Sequence, residues 1–74
     1  MKSQEQISQE VRELIALHYG INPANVTDDY RLPAGIMGLE ARLGVYFRQR
    51  GGIILCEGME VRDLVDQLNR LVGH

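Results

Sequence analysis

The side chains of this chain that could supply a nucleophile and a base are its one cysteine, Cys56, and its two histidines, His18 and His74. A thiolate activated by an imidazole is the basis of one class of covalent catalysis. Cys56, however, ends the apolar run 53–56, where a single thiol commonly packs as a small buried hydrophobe. His18 falls on the apolar face of a helical segment, where we expect it to be packed and hydrogen-bonded. We therefore expect no catalytic residue and no enzyme activity.

Two adjacent carboxylates, Asp28 and Asp29, could act as acid and base or hold a cation. They follow Thr27 in a stretch rich in turn-forming residues, which favours turn and capping hydrogen bonds instead. No Cys/His spacing suits zinc, and the glycines match no phosphate-binding loop because no Gly-Lys-Ser/Thr follows them. The sequence therefore predicts no metal and no cofactor.

The segment 33–52 differs in charge from the rest of the chain. It has a net charge of +2, from three arginines and one glutamate, whereas the whole chain carries −2: Arg42, Arg48, Arg50 and Glu40. The acidity of the whole chain argues against nucleic-acid binding, which needs a concentrated basic surface. The arginines form either a docking surface for an acidic protein or a solvated helix face, and both interpretations stay open at this point.

Length and composition predict a single domain covering residues 1–74. The apolar fraction of 45% and charged fraction of 24% are typical of globular proteins. No apolar run approaches the roughly 20 residues that cross a bilayer, and the first ten residues are too polar for a signal peptide. We expect a cytoplasmic protein without a membrane span, and its oligomeric state cannot be derived.

The apolar spacing predicts an all-α fold, a small bundle of three to four helices with a long loop between the first two. The first helix covers residues 3–19, with Ser3 and Gln6 as a capping box and Gly20 as its end. The loop continues to Leu32 and should be ordered. The second helix should begin near Gly35 or Ile36 and stop at the glycine pair 51–52, with an inner side formed by Ile36, Leu39, Leu43, Tyr46 and Phe47.

The remaining segments complete this bundle. We expect Gly44, inside the second helix, to mark a close contact with another helix. The run 53–56 should be a buried connector, with room for one helical turn at most after it. The last helix should cover about residues 60–72, with an apolar stripe formed by Val61, Leu64, Val65, Leu68, Leu71 and Val72.

The order of these features resembles the acyl and peptidyl carrier proteins. VRELIALHYGINPANVTDDYRL is similar to the first helix and loop of that family, and MEVRDLVDQLNRL to its final helix. LEARLGVYFRQRGGIIL stands where the family has its second helix and the following connector. The resemblance covers nearly the whole chain, although each piece is a pattern of low specificity. It implies an acyl-carrier-like helical bundle.

This sequence departs from the family at the motif that carries its chemistry. The family has Asp-Ser-Leu at the start of the second helix, and the serine bears 4′-phosphopantetheine. Here the attachment position falls on Met37 or Gly38, or is deleted, and none of these alternatives supplies a nucleophilic oxygen. The family's second helix is also typically acidic, whereas this one is basic.

Three functions remain open. The first is a carrier-like interaction module that cannot accept phosphopantetheine and binds a protein partner of fatty-acid, polyketide or nonribosomal-peptide synthesis. Its docking residues would lie on the second helix: Leu39, Arg42, Arg48 and Arg50. The second is a working acyl carrier with an atypical attachment point. The third is an unrelated small helical regulatory or docking domain.

Overall fold

The computed structural model of the chain describes residues 3–72 and contains three α-helices. They are α1 (Gln4–Tyr19), α2 (Ile36–Phe47) and α3 (Val61–Val72), with a single 3₁₀ turn, Pro23–Asn25, in the first loop. No strand forms within the described range, where one isolated bridge pairs Arg31 with Glu60. The prediction of a small all-α bundle with a long first loop is confirmed.

Both ends of α1 form as the sequence predicted. The hydroxyl of Ser3 accepts a hydrogen bond from the backbone N–H of Gln6 at 3.1 Å, which satisfies one of the free amides of the first turn. Gly20 takes the left-handed conformation at φ 69°, and its N–H donates to the carbonyl of Ala16. Glycine reaches this conformation without the steric cost of a Cβ.

The second helix begins at Ile36 as expected but ends at Phe47, four residues before Gly51. Arg48 adopts the left-handed conformation at φ 57°, and the N–H of Gln49 donates to the carbonyl of Gly44 at 2.8 Å. This bond pattern is a Schellman motif, which closes the helix before the glycine pair is reached. The predicted end of α2 was therefore wrong.

The close contact expected at Gly44 is with the end of its own helix and not with another helix. A Cβ at Gly44 would lie 3.0 Å from the carbonyl oxygen of Gln49, in the turn that closes α2. The close approach between α1 and α2 occurs six residues earlier, at Gly38. A Cβ at Gly38 would lie 3.0 Å from Cε1 of His18. The prediction that Gly44 marks a contact with another helix was wrong.

The run 53–56 is extended and only half buried. Ile53 and Leu55 point into the core, whereas Ile54 is 72% exposed and Cys56 is also exposed. Alternate side chains of an extended chain face opposite sides, so one apolar run cannot bury all of its members here. The prediction that Cys56 is buried was wrong, and no helix forms between α2 and α3.

The core lies where α1 packs against both α2 and α3. Fourteen hydrophobic side chains are buried there, and they come from all three helices, the first loop and the connector: Ile7, Val11, Ile15, Ala16, Val26, Leu32, Leu39, Leu43, Phe47, Ile53, Leu55, Val61, Leu64 and Leu68. The predicted stripe of α3 is confirmed in its centre, since Leu64 and Leu68 are fully buried and Leu71 lies at the margin with 38% exposure.

The first loop is ordered because its second half is bonded to the start of α3. The N–H of Leu32 donates to Met59 at 2.9 Å, and the carbonyls of Tyr30 and Asp28 accept from the N–H groups of Val61 (3.0 Å) and Arg62 (2.9 Å). The first amides of a helix have no partner within the helix. The loop therefore supplies acceptors that α3 cannot provide for itself.

Candidate partner-docking surface

The outer face of α2 is apolar and uncovered. Met37 is 86% exposed and Val45 is 81% exposed, on the side opposite the buried Leu39 and Leu43. Ala41 lies between the two exposed residues, one turn from each, and is also exposed. An amphipathic surface helix normally turns a polar face outward, so a helix that is apolar on both sides has a face for which the fold provides no cover.

Charged residues of α2 flank this face. Glu40 and Arg42 are the two charged residues within the helix and are two positions apart, which places them about 200° apart around the axis. The arc between them on the outer side passes through Ala41 and contains only uncharged residues. The result is a broad apolar face with an acidic margin on one side and a basic margin on the other.

A groove of about 580 Å³ runs along one side of this face, between α2 and the turn that follows it. We call it the α2 groove. Its apolar lining consists of Met37, Ala41, Val45 and Ile53, and its charged lining of Glu40, Arg48 and Arg50. The groove thus combines exposed apolar surface with two of the three arginines that the sequence singled out.

Arg42 lies on the opposite flank of α2. It lines a separate depression of about 460 Å³ together with Leu14 and Tyr46. The hydroxyl of Tyr46 donates to a carboxylate oxygen of Glu10 at 2.7 Å and ties this flank to α1. The three arginines are all exposed, but they lie on two sides of the helix and do not form one cluster.

Leu39 does not belong to this surface. Its side chain is completely buried between the helices, with no exposed area. A side chain in that position stabilises the core and cannot touch a partner, so its assignment as a docking residue is corrected here. The residues that the sequence reasoning missed are Met37 and Val45. The signal for them was the number of apolar residues in α2, which is larger than one buried face can take.

Met37 and Gly38, on which the resemblance would place an attachment site, lie at the exposed start of α2, and the segment before them is bonded to α1. Gly35 precedes the helix in the left-handed conformation with no side-chain cap. Nε2 of His18 is 3.2 Å from the carbonyl oxygen of Gly35, and the hydroxyl of Tyr19 donates to the carbonyl of Pro33 at 3.2 Å. Burial, and secondarily the nearby Tyr30, raises the pKa of Tyr19.

His18 and Cys56 do not form a catalytic pair. His18 faces the start of α2, packed edge to face on Tyr19 with 4.8 Å between ring centroids, as expected for a packed histidine. Cys56 instead lines a groove beside α3 with Ile54 and Leu71. His74 lies outside the described residues.

The side chains of Asp28 and Asp29 have different partners within the fold, and only Asp29 makes the turn hydrogen bond that was predicted. The guanidinium of Arg12 forms an ion pair with Asp28 and also donates to the carbonyl of Val26 at 3.1 Å. Asp29 accepts from the hydroxyl of Thr27 at 2.6 Å. This hydrogen bond is the largest cause that lowers the pKa of Asp29, followed by a backbone hydrogen bond.

No group of three or more His, Cys, Asp or Glu side chains in residues 3–72 is arranged to hold a metal ion. Among these residues, no helix is both long and apolar enough to cross a membrane. Comparison of the chain with protein-family models, with curated proteins and with solved structures found no significant match.

Proposed function

We propose that this chain is an acyl-carrier-like interaction module that does not carry phosphopantetheine. It would act by binding a protein partner of fatty-acid, polyketide or nonribosomal-peptide synthesis, with no catalytic role of its own. The observation that carries the docking part of this proposal is the uncovered face of α2, where Met37 and Val45 are almost fully exposed. Exposed apolar surface with polar margins is characteristic of sites that bind proteins.

The chemistry of the attachment position supports the loss of carrier activity. The segment 33–52 contains no serine and no threonine. Met37 presents a thioether, which is not a phosphate acceptor, and Gly38 presents no side chain. Ser3, Ser8 and Thr27 are the aliphatic hydroxyl groups of the chain, and all precede α2 in sequence.

The conformation of Arg48 supports an acidic partner. Among residues 3–72 it is the one non-glycine residue with a positive φ, in a position where glycine would avoid the steric cost of a Cβ. The sequence has an arginine here although glycine would close the Schellman motif at lower steric cost. With Arg50 it places two guanidinium groups on the α2 groove, where they would attract carboxylates.

The carrier part of the proposal is tested by incubating the chain with coenzyme A and a phosphopantetheinyl transferase of broad specificity. Intact mass spectrometry should show no gain of phosphopantetheine, while a conventional carrier protein in the same reaction is modified completely. A stoichiometric adduct would overturn this part and support the working carrier with an atypical attachment point, which peptide mapping would then locate.

The docking part is tested by photo-crosslinking in the cells that naturally produce the protein. The photoreactive residue p-benzoylphenylalanine is placed at position 45 and, as a control, at position 17. Leu17 is likewise exposed and helical but lines none of the grooves described above. The partner crosslinked from position 45 is identified, purified and titrated with Val45→Asp and Leu17→Asp. We expect Val45→Asp to weaken binding by at least about tenfold, or roughly 1.4 kcal/mol, and Leu17→Asp to bind like the parent. Equal binding of the two variants, or the absence of a crosslink from position 45, would overturn the proposed docking function.

A further inference from the structure

We infer that the partner presents an amphipathic α-helix with acidic margins, which lies along the α2 groove. This inference rests on the proposed docking function and specifies the chemistry of the partner. Its basis is the shape, backbone bonding and charge of the groove.

The dimensions of the apolar lining fit a helix. Met37 and Val45 are eight residues apart on α2, a rise of about 12 Å, which matches two turns of a second helix lying beside it. Between them, Ala41 and Gly44 leave little side-chain bulk on this part of the lining. Two helices pack at about 8–10 Å between axes, and small residues at the crossing favour the short end of this range.

The other common modes of peptide recognition do not suit this site. Addition of a β-strand needs an open sheet edge, whereas the N–H and C=O groups within α2 are bonded to one another along the helix. Recognition of polyproline helices uses grooves lined by aromatic rings. The α2 groove has none, because Tyr46 lies on the opposite flank and Phe47 is buried. Among the modes in which the peptide has a regular backbone structure, the one that fits is a helix with apolar anchors in a groove.

The charges specify the margins of that helix. Arg48 and Arg50 stand on the groove side of the apolar face, and Arg42 stands beyond its other edge, whereas Glu40 is the one acidic residue lining the groove. The groove side thus has a net charge of +1, from two arginines and one glutamate, and the other side has Arg42. A partner helix with glutamate or aspartate beside its apolar stripe would meet net positive charge on both flanks. A basic helix would meet like charge and be rejected.

A second copy of this chain is not the occupant. Its most acidic helix, α1, carries Glu5, Glu10 and Glu13, but the apolar stripe of α1 is buried in its own core through Ile7, Val11 and Ile15. α2 has a free apolar face, but one acidic residue, Glu40, and three arginines lie beside it, so a second copy would bring mainly like charge to the groove. The occupant is therefore another protein with an acidic helix.

The test uses the full chain labelled with ¹⁵N and three synthetic peptides of about 14 residues, or four helical turns. All three carry leucines at helical spacing. One has glutamates beside the leucine stripe, one has lysines at the same places, and the third is the glutamate peptide with two central prolines that prevent helix formation. Amide chemical shifts are followed up to about 1 mM peptide, which covers weak specific binding.

We expect the helical glutamate peptide to bind, with shifts concentrated at Met37, Ala41, Val45 and Ile53. The lysine and proline peptides should bind at least about tenfold more weakly. Val45→Asp should abolish the shifts, and Leu17→Asp should leave them unchanged. Equal binding of the lysine peptide, equal binding of the proline peptide, shifts outside the groove, or no binding would each overturn the inference. If position 45 crosslinks to a loop or strand of the partner, the proposed docking function is retained and only the inference of a partner helix is overturned.

Discussion

Gln67 on α3 holds the backbone of Ile54 by two hydrogen bonds, one to each polar group of that residue. The N–H of Ile54 donates to Oε1 of Gln67 at 2.8 Å, and Nε2 of Gln67 donates to the carbonyl of Ile54 at 2.7 Å. The side-chain amide thereby takes the place of a neighbouring strand. This pairing explains how an extended connector is fixed in a domain that has no sheet.

Replacement of Gln67 by alanine should release the connector. Loss of both hydrogen bonds is expected to lower the free energy of unfolding by about 1–3 kcal/mol, measured by urea denaturation. Gln9→Ala is the matched control, because Gln9 makes a single exposed hydrogen bond to Glu13 within α1 and should change stability very little. If the two variants were equally stable, the pairing would have no structural role.

Replacement of Arg48 by glycine should raise stability while weakening the binding of acidic helices. Glycine removes the steric cost of the left-handed conformation but gives the unfolded chain more conformational freedom. The net increase in the free energy of unfolding is expected to be roughly 0.5–1 kcal/mol. Arg50→Gly is the control: Arg50 has no positive φ, so this change should stabilise nothing while it removes the same charge. Thermal denaturation and peptide titration measure the two effects separately. A loss of stability in Arg48→Gly would contradict the strain assigned to this residue.

Charge reversal should separate the two flanks of α2. The double variant Arg48→Glu, Arg50→Glu is expected to weaken the binding of the glutamate peptide more than Arg42→Glu does. The reason is that Arg48 and Arg50 line the groove and Arg42 does not. The remaining affinity of the double variant should also depend less on salt. Unchanged binding by the double variant would mean that these arginines are a solvated face. Circular dichroism should show parental helicity in all variants.

Leu64→Ala should be severely destabilising. Leu64 is fully buried, and the loss of its methyl groups leaves a cavity that costs about 2–5 kcal/mol, enough to unfold a marginal domain of this size. Leu71→Ala, on the same stripe but 38% exposed, should cost clearly less. Urea titration of both variants at one pH makes the comparison, and similar losses would contradict the assigned depth of the core.

Asp29 should titrate below its ordinary pKa of 3.8, because Thr27 and then a backbone group donate to its charged form. A lowered folded-state pKa adds stability that is present above pH 3.8 and is lost as the pH falls through the lower value. NMR titration should show Thr27→Val returning the pKa toward 3.8, whereas Thr27→Ser keeps the hydroxyl and the low value. Identical pKa values in the two variants would exclude the side-chain bond as the cause.

The parts of the fold that could be predicted were those with a local cause. Ser3 and Gly20 delimit α1 through hydrogen bonds within a few residues, and the stripe of α3 follows directly from helical period. The end of α2 could not be predicted, because it depends on an arginine that takes a conformation usually reserved for glycine. Exposure of Cys56 was missed for a related reason: burial of the run 53–56 depends on its orientation against α3, which Gln67 determines from outside the run.

The docking surface was predicted only in outline. The basic character of the segment 33–52 was visible in the sequence, but α2 itself contains one glutamate and one arginine because it ends before Arg48. The division of the three arginines between two flanks depends on the fold. Helical periodicity placed Leu39 on the inner side of α2, and its burial confirms this. Its assignment as a docking residue was therefore wrong and did not agree with the periodicity.

Two backbone amides at the start of α3 are hydrogen-bonded to the first loop, so their hydrogen exchange reports whether the loop has separated from α3. The N–H groups of Val61 and Arg62 are shielded by carbonyls of Tyr30 and Asp28, which lie about thirty positions earlier in the chain. Unwinding of the last turn of α3 would leave both protected, whereas departure of the loop would expose both together. Their hydrogen-exchange rates should therefore be coupled to each other and to that of Leu32, whose own amide is bonded across the same seam.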